Sequence, residues 1–257
     1  MLVSVVGAVY NRAEDVRRWL LSLSLQEGVD LEIILVNYSS TDGLHDLIYG
    51  KAGYKEIIVD PIERDGFPEA YLKNVGIKRA SGDVIVSTNV DLVYDPHFMA
   101  QVSGCCAEGF LVEAVRKDIS TGVTVTPEAK VLLKEGDPLP SAINDYSEWG
   151  IPIIAGADCQ AMRRGHWHEM QGYDEELFGW GSLDTDMVCR AVICGMNILI
   201  LGLNFANYVH AKHPTNRDQN YEDAARNHEI VVRKINERRA LRNEDGWGVL
   251  KFDEEGT

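Results

Sequence analysis

Three short segments carry side chains able to do chemistry. Asn89-Val90-Asp91 follows directly on an apolar run, which puts a carboxylate at the end of a buried strand. Beside the crevice of a parallel sheet, such a carboxylate can hold a divalent ion against a diphosphate. Taken singly, it is equally a turn former or a helix cap. His210-Ala211-Lys212-His213 sets two imidazoles three residues apart after a strand-like segment. Imidazole with carboxylate suits a transition ion such as Mn²⁺ better than Ca²⁺, although such a pair alone also occurs as a surface or structural feature. The third segment runs from Phe178 through Gly179-Trp180-Gly181 to Asp184-Thr185-Asp186. Its glycines allow the backbone to approach a ligand closely, and Trp180 offers a flat face on which a sugar can stack.

Asp184 lies three and four residues before Met187 and Val188, which open an apolar stripe continued by Ala191 and Val192. It therefore faces the buried side at the start of a helix, either as a cap or as a base in a cleft. Asp186 has Arg190 four residues on, the spacing of a surface ion pair.

The elements that must position these groups alternate in the first half. Leu2–Val9, Leu31–Asn37 and Asp83–Thr88 are apolar strands, and Glu69–Arg79 is helical until Ser81-Gly82 breaks it. Asn11 and Glu14 form a capping-box pattern for the intervening helix. The βαβαβ order predicts a mostly parallel, doubly wound α/β sheet, whose ligands gather at the carboxyl ends of its strands, where Asn37-Tyr38 and Asn89 stand. Strands at Phe110–Val115 and Gly122–Thr126, a Pro-rich stretch from Asp137 to Pro140 and an Ala155-Gly156-Ala157 segment follow. Then come a short helix near Arg164–Met170, a helix at Asp184–Cys194, a strand at Ile198–Leu201 and a charged helix from about Tyr221 to Arg239. The chain divides into a first half (1–95), a second half of the same domain (96–217), and a helix with an acidic tail (218–257).

With 257 residues, 45% of them apolar, the chain has ample core for one large domain. Its formal charge of −15 argues against a nucleic-acid surface, which needs clustered Lys and Arg. An acidic protein that binds a diphosphate must gather positive charge locally, and a divalent cation does so economically. The five cysteines are odd in number and lack metal-site spacing, which favours a reducing, cytoplasmic setting. Leu2–Val9 is too short for a membrane span, and no transmembrane segment is expected.

Together these segments resemble the GT-A glycosyltransferases. The first half is similar to family-2 enzymes in Tyr10-Asn11-Arg12, the Ser39-Ser40-Thr41-Asp42-Gly43 turn, and Asn74-Val75-Gly76 followed by Ala80-Ser81-Gly82-Asp83. The second half resembles the β-1,4-galactosyltransferases and the related domain of polypeptide N-acetylgalactosaminyltransferases. Its matching stretches are Ala161-Met162-Arg163-Arg164, Gly172-Tyr173-Asp174-Glu175-Glu176, Gly179-Trp180-Gly181, Asp184-Thr185-Asp186 and His210 to His213. The likeness covers roughly residues 2 to 217.

The resemblance implies roles for particular residues. Asp91 matches the second Asp of the family's DxD and binds the metal, Mn²⁺ or Mg²⁺, with His213 and, three residues earlier, His210. Asp184 matches the carboxylate that deprotonates the acceptor in inverting enzymes. Trp180 matches the tryptophan flanking the sugars, with Gly181 and Asp186 beside it. Tyr10, Arg12 and Phe67 fall where the family contacts the nucleotide. Asn37-Tyr38 replace two acidic residues of the family-2 turn, and Asn89 replaces the first Asp of DxD, so the base of the nucleotide stays open between uracil and guanine, with UDP favoured.

The expected partners are a nucleotide-sugar donor carrying a hexose or N-acetylhexosamine and a glycan or small hydroxyl acceptor, in a role such as polysaccharide biosynthesis. The region Asp137–Trp149 and the loop before Trp180 are expected to close over the donor. A retaining N-acetylgalactosaminyltransferase-like enzyme and a non-catalytic sugar- or nucleotide-binding module are the competing readings.

Overall fold

The computed structural model describes residues 1–48, 53–62, 66–114, 117–118, 143–146, 151–154, 158–201, 208–210 and 217–250. His213 and Lys212, the Gly122–Thr126 strand, the Asp137–Pro140 stretch and Ala155-Gly156-Ala157 lie outside these residues. In chain order the elements are β1 (Leu2–Val9), α1 (Ala13–Ser24), β2 (Asp30–Asn37), α2 (Leu44–Ile48), β3 (Tyr54–Ile58), α3 (Glu69–Lys78), β4 (Val84–Thr88), β5 (Leu92–Tyr94), α4 (Phe98–Cys105) and β6 (Phe110–Ala114). There follow β7 (Lys117–Asp118), β8 (Ile143–Tyr146), β9 (Ile151–Ile154), β10 (Cys159–Arg163), α5 (Arg164–Glu169), α6 (Leu183–Ile193), β11 (Asn197–Leu201), β12 (Tyr208–His210) and α7 (Arg217–Asn236).

Seven strands form the central sheet in the order β11-β6-β10-β4-β1-β2-β3. Each pairing is parallel except those of β10, which runs antiparallel to both β4 and β6. The expected mostly parallel α/β architecture is what forms. Apolar side chains leave the strands on both faces. Val6, Ala8, Ile34 and Val36 join the core that includes α3, α5 and α6, whereas Val3, Val5, Ile33 and Leu35 join the core that includes α1 and α4. Burial on both faces explains why the early strands read as continuous apolar runs.

A second sheet of three strands, β5-β12-β7, stands beside the first. Its pairing of Leu92 with His210 brings the residue after Asp91 opposite a predicted metal ligand.

Helix α1 begins differently from the capping-box expectation. Asn11 has φ 52° and its Oδ1 accepts from Thr41 N at 2.8 Å, while Asp42 Oδ2 accepts from Ala13 N at 2.7 Å. The serine-rich turn therefore caps α1 from across the sheet edge, and Glu14 instead pairs with Arg17.

The last 34 described residues are not a solvated tail. Asp223, Asn227, Val231, Lys234, Arg242 and Trp247 are buried. Lys234 Nζ lies 2.5 Å from Asp174 Oδ2, and Arg242 Nε donates to Asp186 Oδ1 at 3.1 Å. No helix of the described residues is long and apolar enough to cross a membrane. All five cysteines are free thiols.

The turn at Gly172 joins the halves. Gly172 has φ 63°, and a Cβ there would overlap the Asn74 side chain. Gly172→Ala combines a left-handed backbone with a clash, so a loss of more than ~1 kcal/mol in urea denaturation is expected. A variant of unchanged stability would show that the turn relaxes freely.

Candidate active site

The carboxyl ends of β1, β2 and β4 open on one crevice, where the chain places an aromatic row. The Tyr10 and Tyr38 rings meet edge-on with centroids 5.8 Å apart, and Tyr38 meets Phe67 in the same way at 6.2 Å. Tyr10 is 48% exposed, whereas Tyr38 is buried and its hydroxyl accepts from Ile62 N at 2.8 Å. Arg12, two residues after Tyr10, is half-exposed and pairs with Asp15 at 3.4 Å. Asn37 does not join the row. It is 2% exposed, its Nδ2 donates to Glu56 Oε1 at 2.8 Å, and its Oδ1 accepts from Ser40 N at 2.9 Å. The expectation that Asn37 faces a nucleotide is corrected: its amide builds the turn behind Tyr38.

Beyond β4, Asn89 is spanned by two charged groups. Its Oδ1 accepts from Lys73 Nζ at 2.9 Å, its Nδ2 donates to Asp158 Oδ1 at 3.3 Å, and its backbone N donates to Asp158 O at 3.1 Å. Two residues on, Asp91 Oδ2 lies 3.3 Å from His210 Nε2, both half-buried. A carboxylate and an imidazole meeting at the ends of paired strands form a donor set suited to a divalent transition ion. Among the described residues no group of three such side chains comes together, and the third predicted ligand, His213, lies outside them.

Lys73 and Asp158 were not singled out from the sequence, and Lys73 organises the site. Its ammonium is 2.7 Å from Glu69 Oε1 and 5.6 Å from the centre of the Tyr173 ring. Burial alone would pull this lysine down, but Glu69, Tyr173 and Asp184 outweigh it and hold it charged. The Glu69–Lys73 spacing of four along α3 was the available signal.

Asp184 sits in the first turn of α6, half-exposed but crowded by protein. Ser182 at φ 67° occupies the N-cap position, so Asp184 is not the cap. Burial raises its carboxyl well above the usual range, Lys73 opposes this, and Asp158, Glu69 and Glu113 add to it. Behind it, Gln160 Nε2 donates to Asp184 O at 3.1 Å and to Glu113 Oε1 at 2.6 Å, and Gln160 Oε1 accepts from Tyr173 Oη at 3.1 Å. Glu113 is pushed up to about 7 by burial, against the Gln160 hydrogen bond.

Asp186 is another correction. Instead of a surface pair beside a sugar, it is 0% exposed, with Oδ2 at 2.7 Å from Arg190 Nε and Oδ1 at 3.1 Å from Arg242 Nε. Arg190 also donates to Met170 O at 3.0 Å and Gly172 O at 2.7 Å. Asp186 thus bridges two buried arginines, of which Arg242 also lies 3.9 Å from Asp174, and breaking such a group is strongly destabilising. Trp180 does stand open, 55% exposed. The glycines around it answer to α7. Gly179 and Gly181 have φ of 74° and 94°, and a Cβ on either would press on Asp223 or Ala224. Gly181 therefore lets the helix come close, and its expected approach to a sugar is not what requires a glycine there.

Comparison with known proteins agrees with this geometry. Residues 4–130 match the family model described as glycosyl transferase family 2, and residues 153–214 match the one described as N-terminal domain of galactosyltransferase. An uncharacterized glycosyltransferase of Nostoc sp. is 28% identical over 102 residues, which is 40% of this chain and 32% of the relative. The mannosyltransferase PcManGT of Pyrobaculum calidifontis, solved with GDP-Man and Mn²⁺, superposes with a TM-score of 0.63 at 17% identity, covering 93% of this chain and 68% of that one. TarS of S. aureus superposes with a TM-score of 0.60 at 17% identity, over 91% of this chain and 39% of TarS. A shorter TarS chain, residues 1–349 in complex with UDP-GlcNAc, covers all of this chain at a TM-score of 0.58 and 14% identity, and is itself covered to 76%. The chain thus spans about a third of the Nostoc relative and well under half of the longer TarS chain.

The fold is thus the one found in PcManGT and TarS, and the matched segments are similar to glycosyltransferases in both halves of the chain. More particularly, the first half is similar to glycosyl transferase family 2 and the second half to the N-terminal domain of galactosyltransferase.

Glu113 gives a pH test of the site. The unfolded chain loses this proton near 4.5, the folded chain near 7. Its contribution is therefore fully present below pH 4.5 and falls as pH rises towards 7, by roughly 3 kcal/mol at most. Glu113→Gln removes that term, so its stability relative to wild type should rise between pH 5 and pH 7.5 in urea denaturation. A difference independent of pH would show that Glu113 titrates normally.

Proposed function

We propose that the chain transfers a hexose or N-acetylhexosamine from a nucleotide sugar, preferably UDP-linked, to a hydroxyl of a glycan or other acceptor, with inversion at the anomeric carbon. The observation that carries this reading is Lys73, which joins the Asn89-Val90-Asp91 turn to the surroundings of Asp184 and so sets a candidate ion site and a candidate base on one crevice. The ligands of related folds agree in kind: UDP-GlcNAc with TarS, GDP-Man and Mn²⁺ with PcManGT.

Tyr10, Tyr38 and Phe67 hold the base, with Arg12 beside them. Asp91 and His210, with His213, would hold Mn²⁺ or Mg²⁺, which would supply positive charge against a departing diphosphate. The acidity of the crevice supports an ion there, because the Lys73 ammonium is already committed to Glu69 and Asn89. Trp180 presents its exposed face to a sugar. Asp184 takes the proton of the attacking hydroxyl, and its raised carboxyl makes it a stronger base than an ordinary aspartate.

Two measurements test this. In a thermal-shift titration, Mn²⁺ should strengthen the stabilisation by a nucleotide sugar, because a ligand of the native state raises its stability. Asp91→Ala and His210→Ala should each abolish that Mn²⁺-dependent part, and its survival in both would remove the ion site. Asp184→Asn should leave donor affinity within a few-fold while turnover drops by ~10²–10⁴. In the wild type, activity should rise with pH through the raised Asp184 value, since the base works deprotonated, and Lys73→Met should shift that limb to higher pH. Wild-type turnover by Asp184→Asn would refute its role, and a product of retained configuration would refute inversion.

A further inference from the structure

Helix α7 lies outside both matched family segments, yet Asp223, Arg226 and Asn227 on it all hydrogen-bond to the loop carrying Trp180. Asn227 is 1% exposed, and its amide nitrogen, with two N–H groups to share, lies within hydrogen-bond distance of three carbonyl oxygens of that loop: Phe178 O at 3.1 Å, Trp180 O at 3.2 Å and Gly181 O at 3.1 Å. Its Oδ1 accepts from Phe178 N at 3.4 Å. One helical turn earlier, Asp223 Oδ2 accepts from Trp180 N at 3.2 Å, and Arg226, paired with Asp223 at 3.0 Å, donates to Phe178 O. Asp223 and Asn227 are four apart and so share one face of the helix.

These contacts do more than fill space. A loop with left-handed residues at 179, 181 and 182 has few local interactions to select one conformation. Its carbonyls would point in several directions unless a common donor gathered them, and Asn227 is that donor. The loop ends at Ser182, where α6 and the Asp184 backbone begin. On its other side, Gly179 N donates to Phe67 O at 3.1 Å, so the same loop borders the aromatic row.

We propose that Asn227, supported by Asp223, is the positioning residue of this site: it fixes the Trp180 ring, and through the loop the start of α6, in the orientation that transfer requires. Asn227 is buried behind the loop and acts through it. This inference rests on the transferase reading for its effect on turnover, but its effect on Trp180 is independent of that reading.

The test uses the full chain labelled with 5-fluorotryptophan, the Trp180 signal being identified by its absence in Trp180→Phe. In Asn227→Ala the fluorine resonance of Trp180 should shift and change width while those of buried Trp19 and Trp167 stay in place. Turnover should fall by ~10–100-fold with nucleotide-sugar affinity within three-fold, the pattern of lost orientation. Asn227→Ser, whose hydroxyl cannot span three carbonyls, serves in its place if the alanine chain does not fold. An unmoved Trp180 signal overturns the proposal, as does a shift of the Trp19 and Trp167 signals along with it, which would make Asn227 a general stabiliser. A moved Trp180 signal with unchanged turnover overturns the link to catalysis. Should the wild type transfer no sugar at all, the transferase reading fails while the fluorine spectra still decide whether Asn227 holds the loop.

Discussion

Everything in the crevice depends on how two consecutive residues of α3 divide their work. Asn74 is fully buried and treats the turn after α5 as a neighbouring strand. Its Nδ2 donates to Tyr173 O at 2.9 Å and to Glu175 Oε1 at 2.8 Å, and its Oδ1 accepts from Tyr173 N at 2.7 Å. The same turn offers the Met170 and Gly172 carbonyls to Arg190 of α6. An amide on the first half therefore sets where the second half can lie. Lys73 reaches the opposite way, to Glu69 and Asn89. Moving α3 would shift the frame of α6 and the turn before Asp91 together.

The electrostatic consequence is a site that is short of positive charge by construction. Asp158, Glu69 and Glu113 all act on Asp184, and burial leads the upward shift at both Asp184 and Glu113. In a low-polarity environment such carboxyls either take protons or seek cations. Lys73 answers part of that demand. A divalent ion held at Asp91 and His210 would answer the part created by a diphosphate, which is how a chain of net charge −15 can attract an anion.

Much of this was readable beforehand, and the exceptions have a common cause. The strands Leu2–Val9 and Asp83–Thr88 and the helix at Glu69 announce themselves by local pattern, and so does the turn at Asn89. The crevice they form, with Tyr10, Asp91 and His210 on its rim, follows from strand-end logic. Strand β10 gave no such signal, because Gln160 interrupts a segment buried between two neighbours and so breaks both alternation and a pure apolar run. Asp186 looked like half of a surface pair because its second partner, Arg242, is 56 residues away. Asn37 looked available because Glu56 is not visible from the turn. The charges of α7 gave no sign of their burial for the same reason, since Asp223 and Lys234 find their partners far along the chain. Periodicity sees neighbours in sequence; buried polar contacts here are mostly long-range.

The antiparallel strand β10 has a further effect, on the order in which the chain can assemble. Strand β4, buried along its whole length, lies between β1 and β10, so one of its edges stays unpaired until residues 159–163 have been synthesised. An exposed apolar edge of this kind invites pairing with other chains. As the polypeptide leaves the ribosome, the first half can gather β1, β2 and β3 around β4, but it cannot close its sheet for some seventy residues more. Non-local closure of this sort slows folding and lengthens the interval in which an incomplete sheet is open to aggregation. The inserted strand that lets one half contribute to the other's crevice thus also makes the nascent protein a natural client for whatever shields such edges during synthesis.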